Sequence, residues 1–211
     1  MSSEPQLSEL ERDALGEAFN LALGEAASSF ADLVQEEIHI SVPSVDLLTR
    51  AELQRRLSDQ QLPGLGDQLC AINQSFSAGD TSLRTQTLLL FAESGGLEIV
   101  RRMLGQADTP LDQITELEQD ALGEIGNIII NSCMGTLAEI FGTELLGSLP
   151  LVQRTPASQL FSHQGQDEWV LVVRIGLTMS SHSTTGYVLF LMDLPSFAVV
   201  MERVRSYFGM G

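Results

Sequence analysis

The sequence Asp-Ala-Leu-Gly-Glu-x-x-Asn occurs twice, at Asp13 to Asn20 and, 107 positions later, at Asp120 to Asn127. In each copy, 22 further residues lead to a proline, Pro43 or Pro150. The polar residues are copied together with the apolar ones, which indicates a duplicated element that kept its surface chemistry. The chain is therefore expected to form two similar halves that carry two matching polar sites.

The same offset extends to the signals that begin a helix. Ser8 with Glu11, and Thr115 with Glu118, each fit a capping box, in which the N-cap hydroxyl and the N3 carboxylate satisfy backbone N–H groups. Both motif helices are therefore predicted to begin one turn before the motif. Helical spacing continues to about residue 34 in the first copy and about residue 141 in the second.

Each half then continues with the same order of elements: a short strand ending at its proline, a short helix, a hairpin and a closing helix. In the first half these are predicted at 38–42, 46–57, 68–76 with 85–92, and 97–104. In the second half they are predicted at 145–149, 156–160, 169–177 with 185–192, and 195–208. Proline cannot donate to a sheet ladder, so Pro43 and Pro150 are expected to stop or edge their strands.

This order predicts a single α/β domain, residues 1–211, with internal pseudo-twofold symmetry. Its two repeats, about 7–105 and 114–208, are joined by a linker near 106–113. Two long motif helices are expected to pack on one shared sheet of about six strands. Each half alone is short and poor in aromatic residues, which favours a fused core over two independent domains.

Three polar residues of each copy fall on one helix face at about 100° per residue. They are Asp13, Glu17 and Asn20 in the first copy and Asp120, Glu124 and Asn127 in the second. The apolar stripes lie opposite and should face the sheet. They consist of Leu15, Phe19, Ala22, Ala26, Phe30 and Leu33 in the first helix, and of Leu122, Ile129, Cys133 and Ile140, with Leu137 at the edge, in the second. The polar residues are therefore predicted to face solvent or a partner.

Mostly small residues follow each motif along the same face. They are Gly24, Ala27 and Ala31 in the first copy and Asn131, Gly135 and Ala138 in the second. A low surface of this kind leaves room for another protein, so Gly24 and Asn131 are predicted partner contacts. The alternative is an ordinary solvated helix with an acidic first turn, which the helix dipole favours. That alternative gives no reason for an exposed asparagine to be repeated.

The formal charge is −17, from 28 acidic and 11 basic residues. Nucleic-acid binding requires Lys and Arg to neutralise phosphates, so this charge argues against nucleic acid and also against anionic membranes. The acids also fit a simple role in solubility. No apolar run approaches the roughly 20 residues of a membrane-spanning helix. The N-terminus has no export signal, so a cytoplasmic location is expected.

Other chemistries have weak support in the sequence. His39, His163 and His182 are scattered without metal-ligand spacing, so no metal site is expected. Cys70 and Cys133 are predicted to be core residues, and Glu139 stands where a cysteine phosphatase loop would need arginine. Neither a Gly-x-Ser-x-Gly elbow nor a Gly-x-x-x-x-Gly-Lys loop occurs. No resident cofactor is expected.

The pattern Asp-x3-Glu-x2-Asn-x22-Pro resembles that of the CheC/CheX/FliY family of bacterial chemotaxis phosphatases. Both copies match at every polar position and at the proline, as CheC-like members do. The first copy departs at Ala18-Phe19, where Ile-Gly is common. The resemblance implies hydrolysis of the phosphoaspartate of a CheY-type response regulator, with CheD as a further candidate partner. A monomer is expected, since the chain already contains both halves.

The residue types suit this chemistry. Asn20 and Asn127 carry amides that donate and accept hydrogen bonds in a fixed plane, so each is predicted to orient an attacking water. Glu17 and Glu124 are predicted to pair with a basic residue of the partner, which the resemblance identifies as the regulator's active-site Lys. Mg²⁺ is expected on the regulator. The alternative is a non-catalytic module that binds a regulator or serves as a scaffold in the chemotaxis system through the same face.

Overall fold

The structure, a computed structural model, describes residues 6–79, 83–105, 115–161, 169–179 and 182–210. The predicted linker near 106–113 and His163 lie outside these residues. The helices are α1 (Glu9–Val34), α2 (Arg50–Ser58), α3 (Glu93–Met103), α4 (Glu116–Phe141) and α5 (Leu194–Tyr207). The strands are β1 (Ile38–Thr49), β2 (Gln68–Ala78), β3 (Arg84–Ala92), β4 (Leu145–Gly147), β5 (Leu151–Pro156), β6 (Trp169–Met179) and β7 (His182–Met192).

The strands form one antiparallel sheet of order β1-β6-β7-β3-β2-β4, and β5 also pairs with β2. The first strand of each half therefore pairs with the hairpin of the other half. The predicted single α/β domain with a shared sheet is confirmed. The sheet has seven strands where about six were expected, because the chain of the second half is divided into β4 and β5 around Pro150.

The two prolines interrupt their ladders at equivalent places. The register of β1 on β6 shifts between Ser41 and Ser44, and the chain between β4 and β5 contains Pro150. The prediction that the first strand stops at its proline was wrong, since β1 continues to Thr49. Loss of one donor can be absorbed as a local irregularity in the ladder. Because residues 46–49 pair with β6, the helix predicted at 46–57 begins only at Arg50.

The two faces of the sheet bury alternate residues of each strand. One face packs with α1 and α4 in the larger core, which includes Ile72 of β2. The other face packs with α2 in a smaller cluster, which includes Ala71 of β2 and Leu53 of α2. The predicted helix stripes are buried except at Leu33, which is 42% exposed near the end of α1.

Both predicted capping boxes are present, and each is joined to the other half of the molecule. Glu11 of α1 accepts a hydrogen bond of 2.7 Å from Arg205 of α5. Glu118 of α4 accepts one of 2.7 Å from Arg101 of α3. The start of each motif helix is therefore fixed by the closing helix of the opposite repeat.

Candidate functional site

The motif residues lie where their spacing predicted. Asp13, Glu17 and Asn20 are exposed on α1. On α4, Asp120 and Glu124 are exposed and Asn127 is half-buried. The predicted orientation of both motif faces, away from the core, is therefore confirmed.

The first copy departs from the family pattern at Phe19, where the second copy has Gly126. The structure explains why each of these two residues fits its position. A Cβ added at Gly126, the equivalent of Phe19, would lie 2.5 Å from Cγ2 of Ile72, so α4 approaches β2 closely. Phe19 instead packs against Phe190 with ring centroids 5.2 Å apart. The substitution changes how the helix packs on the sheet and leaves the exposed face unaltered.

In the first site the carboxamide is held by the backbone. The N–H of Val42 donates to Oδ1 of Asn20 over 3.1 Å. Val42 lies next to Pro43 within the ladder irregularity of β1. The 22 residues between Asn20 and Pro43 thus bring the disturbed part of the strand to the asparagine, which gives the spacing a structural reason in this copy.

In the second site the carboxamide is held by side chains. Nδ2 of Asn131 donates to Oδ1 of Asn127 over 2.6 Å, one helical turn further along α4. Asn131 in turn faces Gln74 of β2, whose Nε2 lies 3.5 Å from its Oδ1. Asn131 therefore contacts the predicted catalytic residue itself, in addition to lying on the predicted partner face.

Both sites leave the outer part of the carboxamide available. In each, one hydrogen bond to Oδ1 fixes the plane of the amide. Within the part of the chain that the structure describes, neither Asn20 nor Asn127 donates an Nδ2 hydrogen bond. A carbonyl oxygen also has a second lone pair, so each amide can still donate to, and accept from, a bound water.

The predicted strip of small residues is only partly present. Gly24 is exposed, and a Cβ added there would meet nothing within 4 Å. Ala27, however, is buried against the core, so the strip on α1 is interrupted. On α4, Asn131 and Gly135 are both exposed and Ala138 is half-buried.

The sequence did not predict that Val42 and Gln74 contribute to the two sites. Val42 acts through its backbone, which leaves no signal in residue type. Gln74 did leave one, since it follows Cys70 and Ile72 at alternate positions of β2, all of which are buried. A polar residue in an inward position of a strand indicates that its amide is used.

The other chemistries weighed from the sequence gain no support. Burial raises the pKa of the Cys70 thiol to about 11 and that of Cys133 to about 12, so neither is a ready nucleophile. Among the described residues, no group of three or more His, Cys, Asp or Glu side chains is placed to hold a metal ion. No helix in those ranges has the length and apolar character needed to cross a membrane.

Two curated relatives share most of this chain. No protein-family model matches it. It is 25% identical over 148 residues to the flagellar motor switch phosphatase FliY of Bacillus subtilis (strain 168), covering 70% of this chain but only 36% of FliY. It is also 25% identical over 148 residues to the CheY-P phosphatase CheC of the same organism, covering 69% of this chain and 67% of CheC.

Solved structures show the same fold over nearly the whole chain. Thermotoga maritima FliY superposes with a TM-score of 0.75 and 20% identity, covering 97% of this chain and 98% of that one. The middle domain of FliM from H. pylori superposes with a TM-score of 0.64 and 15% identity, covering 93% and 99%. At these identities the likeness establishes the fold.

The motif supplies what the fold alone does not. Both copies of Asp-x3-Glu-x2-Asn-x22-Pro are complete, and each is presented on the exposed face of a long helix. The two curated relatives, FliY and CheC, are both named as phosphatases. Together these observations support the resemblance of this chain to the CheC/CheX/FliY family of chemotaxis proteins.

Proposed function

We propose that the protein hydrolyses the phosphoaspartate of a CheY-type response regulator. The observation that carries this proposal is the pair of fixed carboxamides, Asn20 and Asn127, each one helical turn from an exposed glutamate. The relative CheC is named a CheY-P phosphatase and the relative FliY a flagellar motor switch phosphatase, which supports the same reaction here.

Asparagine suits the positioning of water because its amide donates and accepts hydrogen bonds without itself transferring a proton. The water oxygen attacks phosphorus in line, and the bond between phosphorus and the aspartate oxygen breaks. The aspartate leaves as a carboxylate and inorganic phosphate is released. One proton of the water stays on its oxygen, and the other passes to another oxygen of that phosphate. Phosphoryl transfer of this kind depends mainly on positioning and charge stabilisation. Asn20 and Asn127 supply the positioning.

The glutamates give the encounter its register. Glu17 and Glu124 are exposed, so each can pair with a lysine beside the phosphoaspartate of the regulator. Asp13 and Asp120, one turn earlier, and Gly24 extend the same face as docking contacts. With a charge of −17, the chain suits a partner that contributes Mg²⁺ and lysine itself. CheD stays a further candidate partner through the family resemblance.

A regulator-binding module without activity is the second candidate. FliM, whose middle domain has this fold, shows that a protein of this shape need not carry a phosphatase name. A binding module needs the exposed faces but has no need of two fixed asparagines.

The two candidates are separated by the decay of labelled regulator. Response regulators carrying radioactive phosphate on aspartate are incubated with Mg²⁺ and a substoichiometric amount of this protein. We expect at least one regulator to lose its label faster than it does without this protein, with each molecule of the protein acting on more than one regulator. Binding without any acceleration across a panel of regulators would favour the module instead.

A further inference from the structure

The two sites hold their asparagines by different means. In the first site the N–H of Val42 contacts Asn20 directly at 3.1 Å. In the second site Asn131 contacts Asn127 at 2.6 Å. A hydrogen bond between two side chains on a helix surface fixes a side chain only if its donor is itself held.

Gln74 supplies that anchor from the sheet. Its side chain is buried on β2, with the residue 4% exposed. Nε2 donates to the carbonyl oxygen of Ser148 over 2.8 Å and lies 3.5 Å from Oδ1 of Asn131. Ser148 is itself fixed on β2, because Ser75 N–H donates to its Oγ over 3.0 Å and its N–H donates to the Ser75 carbonyl over 2.9 Å. This series of contacts therefore connects Asn127, through Asn131 and Gln74, to Ser148 near Pro150, where the backbone is bonded to β2.

The buried amide of Gln74 is only partly satisfied by hydrogen bonds. Its Oε1 is buried without a hydrogen-bond partner among the described residues. A buried amide with an unsatisfied oxygen costs free energy that an apolar side chain would avoid. The hydrogen bond to Ser148 and the contact to Asn131 together give a reason for an amide here.

The first site has neither residue of this relay. Gly24 is the equivalent of Asn131, 107 positions earlier. The equivalent of Gln74 follows from the register of the strands. Gly147 is the equivalent of Ile40, 107 positions earlier. Phe76 lies opposite Gly147 and Leu177 lies opposite Ile40, so Phe76 and Leu177 are equivalent. The same alignment places Ile175, which is fully buried, at the position of Gln74.

We infer that Asn131 and Gln74 are positioning residues for Asn127 and form a relay that only the second site has. This inference rests on the proposed function. It implies that the two sites respond separately to substitution, since the first depends on a backbone N–H and the second on side chains that can be replaced.

The test uses a protein in which the second site acts alone, the Asn20→Ala variant. In that background, Asn131→Asp keeps the shape but replaces the donor with an acceptor facing Oδ1 of Asn127. We expect kcat to fall by about tenfold with KM changed less than twofold, because misplacing a positioned group slows chemistry more than binding. Gln74→Leu should also lower kcat. Glu139→Ala changes an exposed residue elsewhere on α4 and serves as the control.

An unchanged kcat in Asn131→Asp would overturn the relay, as would a loss confined to KM. Thermal unfolding of each variant shows whether it folds, and Asn131 is exposed enough to be replaced without loss of the core. If the wild type has no phosphatase activity, the proposed function fails and the relay is tested by NMR. The Asn127 side-chain amide resonances should then shift in Asn131→Asp, and unchanged resonances would overturn the relay independently.

Discussion

Replacing Glu118 with glutamine is expected to lower the free energy of unfolding by about 3 kcal/mol, because it breaks a buried ion pair. The side chains of Glu118 and Arg101 are 3% and 4% exposed, and their atoms are 2.7 Å apart. Glutamine can still accept the capping-box hydrogen bonds at this position. The loss therefore reports the missing charge rather than a missing cap, and chemical denaturation measures it.

The equivalent change in the other repeat is the matched control. Glu11 pairs with Arg205, but the Arg205 side chain is 53% exposed, so water can replace the carboxylate. Glu11→Gln is expected to cost about 1 kcal/mol, as a partly exposed pair does. Equal losses in the two variants would show that burial of the pair is not what stabilises the start of α4.

The Glu118 pair also predicts a dependence on pH. Burial alone raises the pKa of Glu118, but hydrogen bonds from Thr115 and Arg101 outweigh it and lower the pKa below its ordinary value of 4.5. A carboxyl with a lowered folded-state pKa adds stability above its unfolded pKa and loses it as pH falls through the folded pKa. The difference in stability between wild type and Glu118→Gln should be complete at neutral pH and shrink below pH 4.5.

Reversing the charge of both exposed glutamates is expected to have the second large effect. In Glu17→Lys with Glu124→Lys, lysine would face the lysine proposed on the regulator. Juxtaposed like charges cost several kcal/mol, so kcat/KM for dephosphorylation should fall by at least about 100-fold. Steady-state assays with a phosphorylated regulator measure the change.

A second double variant separates contact from overall charge. Glu25→Lys with Glu139→Lys makes the same change in net charge on the same two helices. Both residues are exposed, about 12 Å and about 22 Å further along than Glu17 and Glu124. If this control lost as much kcat/KM as the motif variant, the glutamates would act through net charge and not through a specific pairing.

The motif faces could be predicted because the relevant signals are local. Helical spacing placed Glu17, Asn20, Glu124 and Asn127 on exposed faces, and residue type alone located both capping boxes. Leu33 was the exception in the predicted stripe. It lies in the last turn of α1, where the helix extends beyond its packing and the apolar side chain remains 42% exposed.

The pairing of strands could not be predicted in the same way. Each hairpin was visible, but the exchange of β1 and the β4–β5 segment between halves depends on contacts far apart in sequence. The same limit applies to the site. Asn131 was recognised by its position on α4, whereas its contacts with Asn127 and Gln74 required the helix to be placed against β2.

Single-turnover decay of a phosphorylated regulator, at saturating amounts of wild type, Asn20→Ala, Asn127→Ala and the double variant, tests the central claim most directly. Removing a positioned catalytic amide costs on the order of 100-fold or more in rate. We expect each single variant to retain the activity of its other site and the double variant to lose activity by at least that factor while still binding the regulator. A double variant that hydrolyses at the wild-type rate would contradict the role of these two asparagines.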